Sequence, residues 1–91
     1  MTNVNDVVAQ RGSRYGSFTA NAETAQAIKA AYAASPNWQQ IPAYHKECLE
    51  MIAHKIARVL NGDFNYDDNY VDIAGYAQNV VNILREQQHV D

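Results

Sequence analysis

Two amphipathic stretches, each with a single apolar stripe at helical spacing, flank a short acidic turn. In the first stretch Leu49, Ile52, Ile56 and Val59 recur at intervals of three and four residues, and Ile73, Ala77, Val80 and Leu84 form the stripe of the second. Such spacing puts each set on one side of an α-helix. Pro42 suits the first turn of the earlier helix, where its missing N–H costs nothing, and that helix is expected to run to about Leu60. Asn61-Gly62 is a strong stop, with Gly62 suited to a left-handed C-terminal cap. Asp68 or Asn69 can cap the later helix, which should reach about Gln88. Strand-like alternation is absent throughout. The expected fold is all-α: a small helical bundle with a central antiparallel helical hairpin.

Upstream, the first ten residues read as either a short helix or a loose segment. Arg11 to Phe18, RGSRYGSF, has two glycines and two serines and predicts a loop. Asn21 can cap the next helix and Glu23 suits its first turn. The alanine-rich run AETAQAIKAAYAA has high helix propensity. It should end near Ser35, because Pro36 disfavours helical geometry in the residue before it. A loop holding Trp38 follows. The organisation expected is one helical domain over 1–91, with an N-terminal segment and basic-aromatic loop at 1–20 and a helical core at 21–91.

A chain of 91 residues buries only about 60–65% of the surface it exposes when unfolded. Self-association into a homo-oligomer is therefore expected. Cys48 is the only cysteine; it falls in an apolar-patterned helix and reads as a buried free thiol, which suits a reducing, cytoplasmic setting. The N-terminus lacks the pattern of a signal peptide. No apolar run approaches the ~20 residues of a membrane span. The net charge of −3 argues against a nucleic-acid polymer as partner and leaves room for a small nucleotide held by a local basic cluster.

Several polar constellations could carry chemistry. On the helix after Pro42, Glu47, Glu50, His54 and Arg58 fall within a sector of about 80°. This is either a solvated face with i,i+4 neighbours or a groove in which glutamates ligate a metal and Arg58 meets a phosphate. Asp68 and Asp72 stand four apart on the last helix. Asp72 lies a full turn inside, so it needs a partner: a metal, an arginine, or the Arg11/Arg14 loop. The turn is no EF-hand: Asp68 occupies the place of the glycine and Ala74 that of the bidentate glutamate. Gly75 inside a helix admits close approach of another helix or a ligand. RGSRYGSF offers arginines for phosphate and Tyr15 for stacking on a base, without the ending of a P-loop. The expected ligand contacts are Arg11, Arg14 and Tyr15 from this loop with His54, Lys55 and Arg58 from the helix. His45 and His89 lack partners at metal-ligand spacing and read as surface residues.

RGSRYGSF, EMIAHKIARVLNGD and YVDIAGYA, in this order, resemble a family of small uncharacterised phage and prophage proteins. The resemblance implies a phage origin and an all-α fold. Glu47 and Glu50, Asp72 and the following Tyr76 also resemble the metal-binding pattern of MazG-like all-α NTP pyrophosphatases. Asn69 stands where that pattern has a glutamate, and Lys46 where it often has another acid. The leading expectation is a non-catalytic phage accessory or counter-defence protein that acts by binding. It would capture a nucleotide or nucleotide-derived signal, or block a host defence protein, with no cofactor. The alternative is a Mg²⁺-dependent nucleoside triphosphate pyrophosphohydrolase using Glu47, Glu50, Asp68 and Asp72 as metal ligands. A third reading is a structural or protein-inhibiting module whose contact surface is the acidic turn with Phe64, Tyr66 and Tyr70.

Overall fold

The structure is a computed structural model describing residues 3–88, with the backbone alone for 9–11 and 13. Its regular elements are α1 (Val4–Tyr15), α2 (Phe18–Ala33), α3 (Ala43–Asn61) and α4 (Asp68–Gln88). Among the described residues no strand forms, as the sequence pattern implied. The expected all-α fold and the α3–α4 hairpin are present. The expectation for His89 lies outside the described residues.

Every substantial helix–helix contact involves α3: α2 and α4 both pack on it, and α1 leans against it. A helix flanked in this way needs small side chains where its neighbours approach most closely. Ala53 and Ala57 are fully buried, with Cys48 and, on α2, Ala25 close behind. The expected stripe residues Leu49, Ile52, Ile56 and Val59 are only half-buried and spread around this seam. The buried Cys48 thiol is pushed above its usual pKa by desolvation, which leaves it a poor nucleophile.

The N-terminal region departs from its expected form. Arg11 to Tyr15 is not loop but the end of α1, which Asn3 starts by accepting the Asn5 N–H at 2.8 Å. A lone helical glycine such as Gly12 costs about 1 kcal/mol and does not by itself stop a helix. The break comes at Gly16, whose φ of 84° ends α1. Ser17 then caps α2, accepting the Ala20 N–H at 3.1 Å. Asn21, expected as the cap, lies inside α2 and donates to the Tyr15 carbonyl at 2.6 Å.

Gly62 is also not the left-handed cap expected, since its φ is −125°. It is glycine because a Cβ there would meet the Tyr15 carbonyl carbon at 2.5 Å and the Arg14 oxygen at 2.6 Å. A Cβ on Gly16 would in turn collide with the Asn61 carbonyl. The α1–α2 elbow is thus pressed against the end of α3. The Asp63 N–H donates to the Arg14 carbonyl at 2.9 Å. The Asn61 amide reaches Thr24 Oγ1 and the Ala57 carbonyl, each at 3.0 Å.

At the other end of α2, Tyr32 donates to the Leu49 carbonyl at 2.9 Å and stacks on Trp38. Pro42 precedes the first turn of α3 as its N-cap. His45 is half-buried beside Tyr44, less exposed than expected. The molecule is elongated, with a radius of gyration of 15.9 Å against the ~12 Å of a compact chain this long. Among the described residues, no helix is long and apolar enough to cross a membrane.

Candidate functional site

The cations of α3 point in two directions. Lys55 is buried on the side facing α4, where its ammonium lies 2.9 Å from an Asp72 carboxylate oxygen. Asp72 is thus partnered by a lysine of the neighbouring helix and not by the arginine or the Arg11/Arg14 loop expected, and the same ion pair engages Lys55, one of the expected ligand contacts. His54 and Arg58 turn the other way, toward α2 and α1.

On that second side the Arg58 guanidinium lies over the Tyr15 ring, 4.4 Å from its centroid. Tyr15 reaches this position because Gly16 and Gly62 let the elbow close onto α3. Tyr15 also packs beside Tyr66, and Arg14 covers the Tyr66 ring at 4.6 Å. Arg14 lies 3.9 Å from Asp63. It is therefore engaged in holding the elbow to the turn after α3. The Arg11 side chain lies outside the described residues.

Arg58 lines two neighbouring clefts of about 270 Å³ each, which share Phe18, Asn21 and Arg58 as walls. One extends along α1 past Val8, Gly12 and Tyr15. The other extends along α2 to Gln26 and His54. Phe18 is 85% exposed and Val8 is 61% exposed, so both present apolar surface at the rims. Among the described residues, no carboxylate lies within ion-pairing distance of Arg58, and nothing donates to the buried Asn21 Oδ1. Gly12 matters here: a Cβ built on it meets nothing. Packing among the described residues does not call for glycine at this position, whereas a ligand entering the cleft would gain room from it.

Lys29 of α2 closes the far end. It donates to His54 Nε2 at 3.2 Å and lies 3.9 Å from Glu50. A lysine ammonium has no acceptor, so His54 must present an unprotonated Nε2 to it. This agrees with a His54 pKa held below its usual value, chiefly by partial burial and then by Lys29, Arg58 and Lys55, with Glu50 opposing. At neutral pH the imidazole is uncharged. The site has a fixed guanidinium, a nearby ammonium, a neutral imidazole, an orphan amide oxygen and two aromatic rings.

The carboxylates of the alternative reading are dispersed. Glu50 faces Lys29 on the α2 side, while Asp72 faces Lys55 on the α4 side. Glu47 lines a different cleft, with Cys48, Tyr76 and Ile83. Asp68 accepts the Tyr66 hydroxyl at 2.7 Å. That bond is the main cause that pushes the Tyr66 pKa up to about 12. Asn69, where the pyrophosphatase pattern has its glutamate, is 1% exposed, and its Nδ2 has no partner among the described residues. Among the described residues no three His, Cys, Asp or Glu side chains gather in a metal-binding group. The residues present do not fit a Mg²⁺ ion held by this set.

Of the expected contacts, Tyr15, His54 and Arg58 border these clefts. Val8, Phe18 and Asn21 border them as well and Lys29 adjoins His54, and none of these four was among the expected contacts. Phe18 stood at the end of the predicted loop and Asn21 as a helix cap. Lys29 sits in an alanine-rich helix with no local pattern to single it out.

Over residues 1–84 the chain matches the family model described as a domain of unknown function, DUF6378, and it belongs to that family. No curated protein and no solved structure matches it.

Proposed function

We propose that this member of the DUF6378 family acts by binding, and that it takes a small phosphorylated aromatic ligand, a nucleotide or nucleotide-derived signal, in the clefts beside Arg58. The carrying observation is the state of Arg58. Its guanidinium is oriented by the Tyr15 ring, lines both clefts, and has no carboxylate partner among the described residues. A guanidinium fixed in this way presents its fork to phosphate with little ordering left to lose. Phe18 at the shared rim offers a face for a base, and Asn21 Oδ1 can accept from an amino group. The phage setting belongs to the same proposal and is supported by the sequence resemblance alone; a counter-defence role is proposed with it.

Calorimetric titration with mono-, di- and cyclic nucleotides tests the reading. Saturable binding that Arg58→Ala weakens at least roughly tenfold, the worth of one charge-assisted contact, is the expected result. Absence of binding by the wild type, or affinity unchanged in Arg58→Ala, would overturn it.

A second reading has its own observation. Phe64 and Tyr70 are 68% and 57% exposed and flank Asp67 and Asp68. Aromatics among acids suit a basic protein partner. Under that reading Phe64→Ala abolishes capture of the partner and leaves the helical circular dichroism unchanged.

A further inference from the structure

The outward side of α4 carries a stripe that none of the other described residues covers. Val71, Ala74, Gly75, Gln78, Asn82 and Arg85 follow one another at helical spacing and are all exposed. Val71 alone is 61% exposed. Gly75 sits in the helix interior, where glycine is disfavoured relative to alanine. A Cβ built on it meets nothing within 4 Å, so packing inside the chain gives no reason for it. Close approach by another helix does give one, because the missing side chain lets two backbones come together. The depression beside it is bordered by Val71, Tyr76 and Asn79.

Surface area indicates how much cover is missing. The chain exposes 6708 Å², whereas a compact monomer of its mass exposes about 5,300 Å². The surplus of roughly 1,400 Å² is the size of one partner's share in an obligate dimer. The fully buried core among the described residues is little more than Ala25, Cys48, Ala53 and Ala57, so cover of this extent would add to stability wherever the chain folds. A second copy of the same chain is always at hand to supply it. Charge also suits such a pair. Asp68 begins α4 and Arg85 lies in its last turn, so antiparallel helices would set each acidic end beside the partner's arginine. The midpoint between those residues falls halfway between Gly75 and Gln78. Asp72, at the edge of the stripe, is already neutralised by Lys55.

We propose that this stripe is a self-association surface, on which two copies pack their α4 helices antiparallel across a two-fold axis that passes between Gly75 and Gln78. The surface lies away from the Arg58 clefts, so it stands or falls independently of the ligand reading.

The test combines sedimentation velocity over roughly a hundredfold dilution with two disruptive variants and one cross-link. The wild type should sediment as a dimer or a multiple of one. Val71→Glu and Gly75→Leu should each weaken association at least tenfold while keeping the helical circular dichroism. Gln78→Cys in a Cys48→Ser background should form an intermolecular disulfide across the axis, and this decides the matter if a disruptive variant fails to fold. A wild type that is monomeric throughout would overturn the proposal. So would an oligomer that both variants leave intact and that Gln78→Cys does not cross-link.

Discussion

The two sides of α3 carry similar charges and put them to different uses. Toward α4, Lys55 is buried and meets Asp72 at 2.9 Å, so its charge is neutralised within the fold. Toward α1 and α2, Arg58 rests on an aromatic ring beside open clefts, and Lys29 bridges toward a neutral histidine and a glutamate. A cation whose charge is satisfied stabilises the structure and has little left for a ligand. A cation held in place without an anion is suited to bind one. The comparison predicts that damage on the first side shows mainly in stability and damage on the second mainly in binding.

The largest effect should come from the elbow that holds the open side together. Gly62→Ala forces a Cβ against the Tyr15 and Arg14 backbone, which cannot yield without undocking α1. Overpacking of this kind costs about 3 kcal/mol. The expected outcome is a fall in Tm together with rapid amide exchange in α1, while the α3–α4 amides keep their relative protection. If all four helices lose protection equally, the elbow is part of one cooperative unit and the two sides are not separable. Next in size is Asp72→Asn, which leaves Lys55 buried beside a neutral group. Breaking a fully buried pair costs about 3–5 kcal/mol. Because the Asp72 side chain is 47% exposed, water can reach the pair, and the loss should be about 1–2 kcal/mol by urea unfolding. Lys55→Met should cost less than Asp72→Asn, because it removes the buried charge and leaves the exposed one. Neither should change nucleotide affinity.

The hairpin was legible in the sequence because both its stripes and its stop signal are local. So was the pairing of Asp72, although its partner was not, since Lys55 and Asp72 meet only once α4 has packed on α3. RGSRYGSF was misread for a related reason. Its glycines look alike in sequence, but Gly12 continues a helix and Gly16 ends one. What distinguishes them is contact with Asn61 and Gly62, more than forty residues away. Gly62 was expected to be glycine for its backbone angle and is glycine for lack of space. The Arg58 site was half legible: the charged residues stood out, but the walls did not. Phe18, Asn21 and Lys29 come together with Arg58 only through tertiary packing.

Arg58→Ala should have a smaller effect on stability than Gly62→Ala or Asp72→Asn. The side chain makes no ion pair among the described residues, so it loses one stacking contact of about 0.5–1 kcal/mol. A Tm change larger than that of Asp72→Asn would mean that Arg58 is structural and would remove the contrast between the two sides.

The smallest effect expected is a pH dependence at His54, and its sign is specific. The folded-state pKa lies below the ordinary value of 6.5, held down first by partial burial and then by Lys29, Arg58 and Lys55, against the opposing pull of Glu50. The folded state thus prefers the neutral imidazole. The associated stability is fully present above pH 6.5 and declines as the pH falls below it toward the folded pKa. The decline should be slight, since His54 keeps an exposed edge and water screens its neighbours. Anion binding should move the opposite way. A bound phosphate favours the imidazolium, so affinity should rise over the same interval in which stability falls. Measuring Tm and nucleotide affinity between pH 7.5 and 5.5 in wild type and His54→Gln separates the two. Both trends should flatten in the variant. A cyclic nucleotide, whose phosphodiester keeps its charge over this interval, is the ligand to use; if its affinity stays flat with acid in the wild type, the imidazole is not beside the phosphate, and the ligand sits in the cleft bounded by Val8 and Gly12 instead.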